Sequence, residues 1–176
     1  MRIMGGFPIV GTWYFYYTFA IVCFYQPTTS PMHSVQIART DGEILKCWPA
    51  LHLLRPHLDE HSFLPLLHGM MQEGYQLAFI ESPAKEVAAA ALGFRYQQKL
   101  YDGKQIYIDD LTTLEQYRGH GYAGALLDYI FSRAEETGCQ CVTLDSGPQR
   151  YAAHRLYLNK GFNITSYHFT RQHAGG

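Results

Sequence analysis

Charge is scarce in this chain of 176 residues, and neither sign dominates. Asp, Glu, Lys and Arg make up 16% of it, with 14 basic against 15 acidic residues. No basic run exists, so the electrostatic footprint of a nucleic-acid binder is missing. Cysteine is scarce too. Four are too few for a disulfide scaffold at this length. Cys139 and Cys141 would share one face of a strand, but no second Cys/His pair completes a metal site with workable spacing, so no metal is expected. Repeats, linkers and low-complexity tracts are absent. What is abundant is apolar residue, 47% of the chain, enough for one domain with a real core.

The first 31 residues stand apart. Ile3 to Tyr25 carry no charge and nine aromatics, a length close to the roughly 20 residues of a bilayer crossing. Arg2 in front resembles a short basic region, which raises a signal peptide or anchor. Against both, the run has no Leu, its aromatics lie mid-span rather than in two belts, and no small-x-small cleavage site precedes Pro27. The charge bias would also send the remaining chain away from the cytoplasm. The reading is therefore an extension over 1–31, non-native or dispensable, with an anchor or a docked element as alternatives. The domain proper spans 32–176.

From residue 32 onward the pattern is dense. Ser34 to Ala38 alternates as a short strand. Thr40 and Glu43 form a possible capping box, opening a helix through Ile44, Leu45, Trp48 and Leu51, with a kink expected at Pro49 and an end at Pro56. Phe63, Leu66, Leu67, Met70 and Met71 fall at helical spacing, ended by Gly74. Tyr75 to Ile80 reads as a strand. Glu86–Tyr96 and Lys104–Thr113 flank Asp102-Gly103, a hairpin turn signal. Tyr122 to Thr137 is an amphipathic helix, Cys141 to Leu144 a buried-type strand, Arg150 to Lys160 a helix, and Asn163 to Thr170 a closing strand. The order β-α-α-β-β-β-α-β-α-β makes a mixed α/β fold of the α+β type.

Residues 116–124, Gln-Tyr-Arg-Gly-His-Gly-Tyr-Ala-Gly, join the hairpin to a helix N-terminus. Glycines let backbone approach a ligand, and the first helical N–H groups have no intrahelical partner. Together they make an anion site, here for a phosphate-bearing cofactor. The loop is not a dinucleotide fingerprint, because it follows an antiparallel hairpin and no suitably placed acid follows. It is not a P-loop, because no Gly-Lys-Ser/Thr follows.

The segment Arg118-Gly119-His120-Gly121-Tyr122-Ala123 resembles the cofactor loop of the GCN5-related N-acetyltransferase (GNAT) superfamily. A second segment, Ala153 to Phe162, is similar to that family's late helix, with Tyr157 four residues before Gly161-Phe162. The resemblance covers about residues 33–171. It implies a mixed, largely antiparallel sheet splayed at the cofactor site, with helices on both faces. It also implies acetyl-CoA as co-substrate. The backbone N–H groups of Arg118, Gly119, His120, Gly121, Tyr122, Ala123 and Gly124 would cradle the pyrophosphate. The backbone of Leu111 and Thr113 would pair with the pantetheine arm. Where many family members carry Asn, this chain has Arg150, which could reach the phosphates as a cation.

The implied reaction is direct attack of a primary amine on the thioester. An amine with pKa near 10 is about 0.1% neutral at pH 7, so a base must act. Tyr157 matches the family's acid for the leaving thiolate; its alternative role is a core aromatic. Asp109 and Asp110 interrupt a β-branched strand, where carboxylates are disfavoured, and are the candidate bases. Only one can face the cleft unless a bulge intervenes, and alternation does not choose. Glu115 reads as a loop carboxylate. His154, Arg155, Tyr151 and His168 are undecided, and His68 could line an acceptor groove. The expected partner is a small-molecule or peptide amine, in the cytoplasm, with neither nucleic acid nor membrane; a homodimer is left open. The rival class is a non-catalytic acyl-CoA sensor.

Overall fold

Five strands form one sheet in chain order: β1 (Gln36–Ile37), β2 (Tyr75–Glu81), β3 (Ala88–Lys99), β4 (Gly103–Thr113) and β5 (Cys141–Leu144). The structure, a computed structural model, describes residues 33–173; the expectations for residues 1–31 lie outside them. The first four strands pair antiparallel, and β5 joins β4 in parallel. The hairpin turn lies where Asp102-Gly103 predicts it, with Gly103 at φ +67°. The parallel ladder is short, Gln105–Ile108 against Cys141–Leu144. From Asp109 onward β4 is paired only on its β3 side, so the sheet splays there.

Four helices cover the two faces. On one lie α1 (Asp41–Leu54) and α2 (Glu60–Gln72), burying Ile44, Leu51, Phe63 and Leu67 against Leu77 and Phe79. On the other, α3 (Tyr122–Glu136) buries Leu126, Leu127 and Ile130 against Leu92, Phe94 and Ile106. The shorter α4 (Tyr151–Asn159) adds Leu156 and Tyr157 to this side. Fully burying each such side chain contributes roughly 1.5–3 kcal/mol. The splayed, largely antiparallel sheet with helices on both faces is the architecture the sequence implies. Among the described residues, no helix is long and apolar enough to cross a membrane.

Local signals explain most boundaries. Thr40 accepts from the Glu43 N–H while the Glu43 carboxylate accepts from the Thr40 N–H, completing the capping box. Gly74, Gly138 and Gly161 follow helix ends with positive φ, as left-handed caps should. Three expectations differ. The helix continues through Pro49, because Ala50 and Leu51 on the next turn are buried in the core. The first strand shrinks to two paired residues. The closing strand at Asn163–Thr170 is not a strand: Ile164, Tyr167 and Phe169 are more than four-fifths exposed. Alternation favours an extended chain, but a ladder needs a partner, and among the described residues β5 pairs only with β4.

Candidate active site

The two strand carboxylates meet because β4 carries one extra residue. Gly93 pairs with Asp110 and Phe94 with Ile108, which leaves Asp109 as a bulge. Before it, Ile106 and Ile108 face α3 while Tyr107 faces α1 and α2. After it the alternation is inverted: Leu111 faces α3, and the Thr112 hydroxyl donates to the Ala50 carbonyl of α1 at 3.2 Å. Asp109 and Asp110 therefore both line the cavity under α1 and α2.

The two acids are held differently. Asp110 accepts from Arg55 Nε (3.0 Å) on one oxygen and from the Tyr75 hydroxyl (3.2 Å) on the other. Asp109 accepts from Arg95 Nε on Oδ2 at 3.0 Å; Oδ1 has no donor among the described residues. Burial raises the Asp109 pKa, partly opposed by the Arg95 bond. Tyr75 is buried, and that burial, with the Asp110 charge beside it, pushes its phenol well above the ordinary value. Its place depends on Gly93: a Cβ there would lie 1.8 Å from the Tyr75 hydroxyl. The Arg95 guanidinium also sits 5.7 Å above the Tyr75 ring.

Two cavities open on this pair. One, of about 330 Å³, lies between β4 and the α1–α2 layer. The other, of about 260 Å³, lies in the splay, between the free part of β4, the end of β5 and α4. Leu111, Arg150 and Tyr157 line the second cavity, and Arg55, Asp109 and Asp110 belong to both. Burial raises the Tyr157 phenol, opposed by Arg150, so it stays protonated at neutral pH. Tyr107 donates to Asp145 at 2.7 Å at the end of β5, and burial raises its pKa as well.

The glycine loop lies at the far end of β4. A single 3-10 turn (Glu115–Tyr117) leads through Gly119 at φ +81° and Gly121 at φ +83° into α3. Left-handed backbone at both positions is the physical reason for glycine. A Cβ at Gly119 would meet nothing within 4 Å, so the loop faces open space. No side chain caps α3, and its first N–H groups stay available to an anion. The Thr113 hydroxyl is buried without a hydrogen-bond partner among the described residues. An uncapped N-terminus, an open glycine loop, an unpaired strand edge and an orphan hydroxyl fit an extended ligand carrying phosphates.

Other expected residues fall elsewhere. The Tyr122 side chain is buried and stacked on His33 at 4.1 Å, leaving only its backbone to the loop. His120 bonds back to the Arg118 carbonyl, and Arg118 pairs with Glu115. His68 is not in the groove: it pairs with Asp41 at 2.9 Å. His154 bonds Ser146, His168 pairs with Asp145, and Tyr151 and Arg155 are exposed. Among the described residues no group of three or more His, Cys, Asp or Glu could hold a metal. Sequence reasoning missed Arg55, Tyr75, Gly93 and Arg95. Only Gly93 carried a signal, an isolated glycine inside a strand, which marks a bulge or close approach.

Comparison with known proteins agrees with this geometry. The family model for the acetyltransferase (GNAT) family matches residues 35–162. An uncharacterized N-acetyltransferase of Bacillus subtilis (strain 168), YhdJ, is 35% identical over 143 residues, covering 80% of this chain and 98% of that protein. Solved structures share the fold. A transcriptional regulator from Bacillus halodurans C-125 superposes with a TM-score of 0.69 at 22% identity, over 80% of this chain and 100% of the other. An aminoglycoside N-acetyltransferase, AAC(6')-Iy in complex with CoA, does so at 0.66 and 15%, over 81% of this chain and 96% of the other. The chain belongs to the GNAT family and is an acyltransferase.

Proposed function

From that membership we propose that the chain transfers the acetyl group of acetyl-CoA directly to a primary amine, with the segment from residue 32 onward as the working unit in the cytoplasm. The observation that carries the reading is the pair of cavities meeting at Asp109 and Asp110. One suits the acyl donor and the other the acceptor. The backbone from Arg118 to Gly124 would hold the pyrophosphate. The unpaired edge of β4 at Leu111 and Thr113 would pair with the pantetheine arm, and Arg150 would lie beside it. No metal enters the scheme.

Asp109 is the base in this reading. Its free Oδ1 can accept a proton, directly or through a water, while both Asp110 oxygens are engaged. A raised pKa brings it closer to working pH, which favours general base catalysis. Loss of that proton lets the amine attack the thioester carbonyl; the C–N bond forms and the C–S bond breaks. A backbone N–H on the splayed part of β4 would stabilise the oxyanion. Tyr157 would donate its proton to the departing sulfur, and its raised pKa supports that role. Holding both reactants at one point removes much of the entropic barrier. The carboxylates and Tyr157 favour turnover over mere CoA sensing.

The test is thiol release from acetyl-CoA across an amine panel, with Tyr157→Phe, Asp109→Asn and Asp110→Asn alongside. Amine-dependent release that falls most in Asp109→Asn and Tyr157→Phe supports the assignment. Tight acetyl-CoA binding without turnover on any amine overturns it.

A further inference from the structure

We infer that the acceptor is a small monoamine with a hydrophobic, ring-sized body, such as an arylalkylamine. This rests on the acetyltransfer reading above and adds to it the chemistry of the acceptor.

The 330 Å³ cavity divides into two unlike parts. Its inner end carries Asp109, Asp110 and Tyr75, where the amine would lie. Its outer wall is hydrocarbon: Leu58 from the α1–α2 connection, then Phe63, Leu66, Leu67 and Met70 from α2. The charged or titratable groups facing the cavity are Asp109, Asp110, Arg55 and His57, with the phenols of Tyr75 and Tyr107. The outer wall therefore offers no second carboxylate.

Each property excludes a class of amine. A polyamine would put its second ammonium against Leu and Met side chains, where an unpaired charge is costly to bury. An aminoglycoside would bring many hydroxyls to a wall with few partners for them, and each unsatisfied polar group costs about 1–3 kcal/mol. Size excludes it too: at ≈30 Å³ per water, the cavity holds roughly eleven water volumes, the bulk of one ring and a short arm. Leu66 keeps 44% of its surface exposed although it is a large apolar side chain on this wall, so a bound ring would cover surface that is otherwise wet. The length of α2 gives the same stripe its spacing: Phe63, Leu66, Leu67 and Met70 lie at i, i+3, i+4 and i+7. Phe63 and Leu67 are buried in the core, whereas Leu66 and Met70 retain exposure.

The experiment uses the full chain with acetyl-CoA and five acceptors: phenethylamine, ethylamine, spermidine, kanamycin and a tetrapeptide with an N-terminal leucine. The expected result is a kcat/KM for phenethylamine at least tenfold above each of the others, since hydrophobic groups in a fitted pocket discriminate by 10–200-fold. Calorimetric binding of phenethylamine to the CoA-bound chain supplies a readout that needs no turnover. Leu66→Glu puts a carboxylate on the outer wall at a partly exposed site, where folding is little affected; it should shift the spermidine-to-phenethylamine ratio at least tenfold toward spermidine. If spermidine, kanamycin or the peptide equals or exceeds phenethylamine, or if phenethylamine fails to bind, the inference falls while acetyltransfer stands. If no amine at all is acetylated although acetyl-CoA binds, acetyltransfer falls, and phenethylamine binding alone then decides the character of the cavity.

Discussion

The two cavities are built from different material. On the glycine-loop side the site is mostly main chain: left-handed glycines, an uncapped helix and an unpaired strand edge. On the α1–α2 side it is side chain: two carboxylates fixed by Arg55, Arg95 and Tyr75, under an apolar wall. A main-chain site suits a ligand that never changes and tolerates side-chain drift. A side-chain site can be retuned one residue at a time, so the acceptor half is where specificity resides.

The largest expected effect divides the two acids of the side-chain half. Asp109→Asn should lower kcat about 10²–10⁴-fold, the usual worth of a general base, whereas Asp110→Asn should lower it far less; steady-state kinetics on both variants reads the ratio. Equal losses would mean the carboxylates act as a unit. Next, Tyr157→Phe should lower kcat about 10²-fold at neutral pH with little change in the KM for acetyl-CoA. A rise in that KM alone would make the phenol a binding contact instead.

Gly93→Ala should destabilise the fold by about 1–3 kcal/mol, as overpacking does, measured by urea denaturation. Tyr75→Phe should not rescue it, because the new Cβ would also lie 2.3 Å from the ring carbon that carries the hydroxyl. On the main-chain half, Gly121→Ala meets only His33 at 3.8 Å, so its cost is backbone strain alone, about 1–2 kcal/mol. It should appear mainly as a five- to thirtyfold weaker acetyl-CoA affinity.

The smallest effect is in pH. Asp109 must be ionised to act, so kcat/KM should rise with pH through a limb lying above the ordinary aspartate value, since burial raises its pKa. Stability runs the other way. The raised folded pKa favours the neutral acid, so this contribution is fully present below the unfolded pKa and is lost as pH rises through the folded one. Asp109→Asn should remove both slopes.

The same contrast explains what could be read beforehand. The glycine loop was legible because positive φ leaves few residue choices, and Tyr157 because it sits at a fixed distance from Gly161-Phe162. The helix stripe at Phe63 and Leu67 was legible from its period. The acceptor half was not, because Arg55, Tyr75, Gly93 and Arg95 come from three separate elements and converge only when the sheet forms. Asp109 and Asp110 were visible as a pair, but their shared facing depends on a bulge that alternation alone does not reveal. The closing strand at Asn163–Thr170 failed for a related reason: its own residues alternate correctly, and a partner is a property of the rest of the chain.

The bulge at Asp109 also bears on how such a site can change over generations. Because one extra residue inverts every position after it, losing one codon there would turn Thr112 away from α1 and Leu111 toward it, and would leave one carboxylate at the junction of the two cavities. A single in-frame deletion could thus convert a two-acid site into a one-acid site without a substitution, and a single insertion could reverse it.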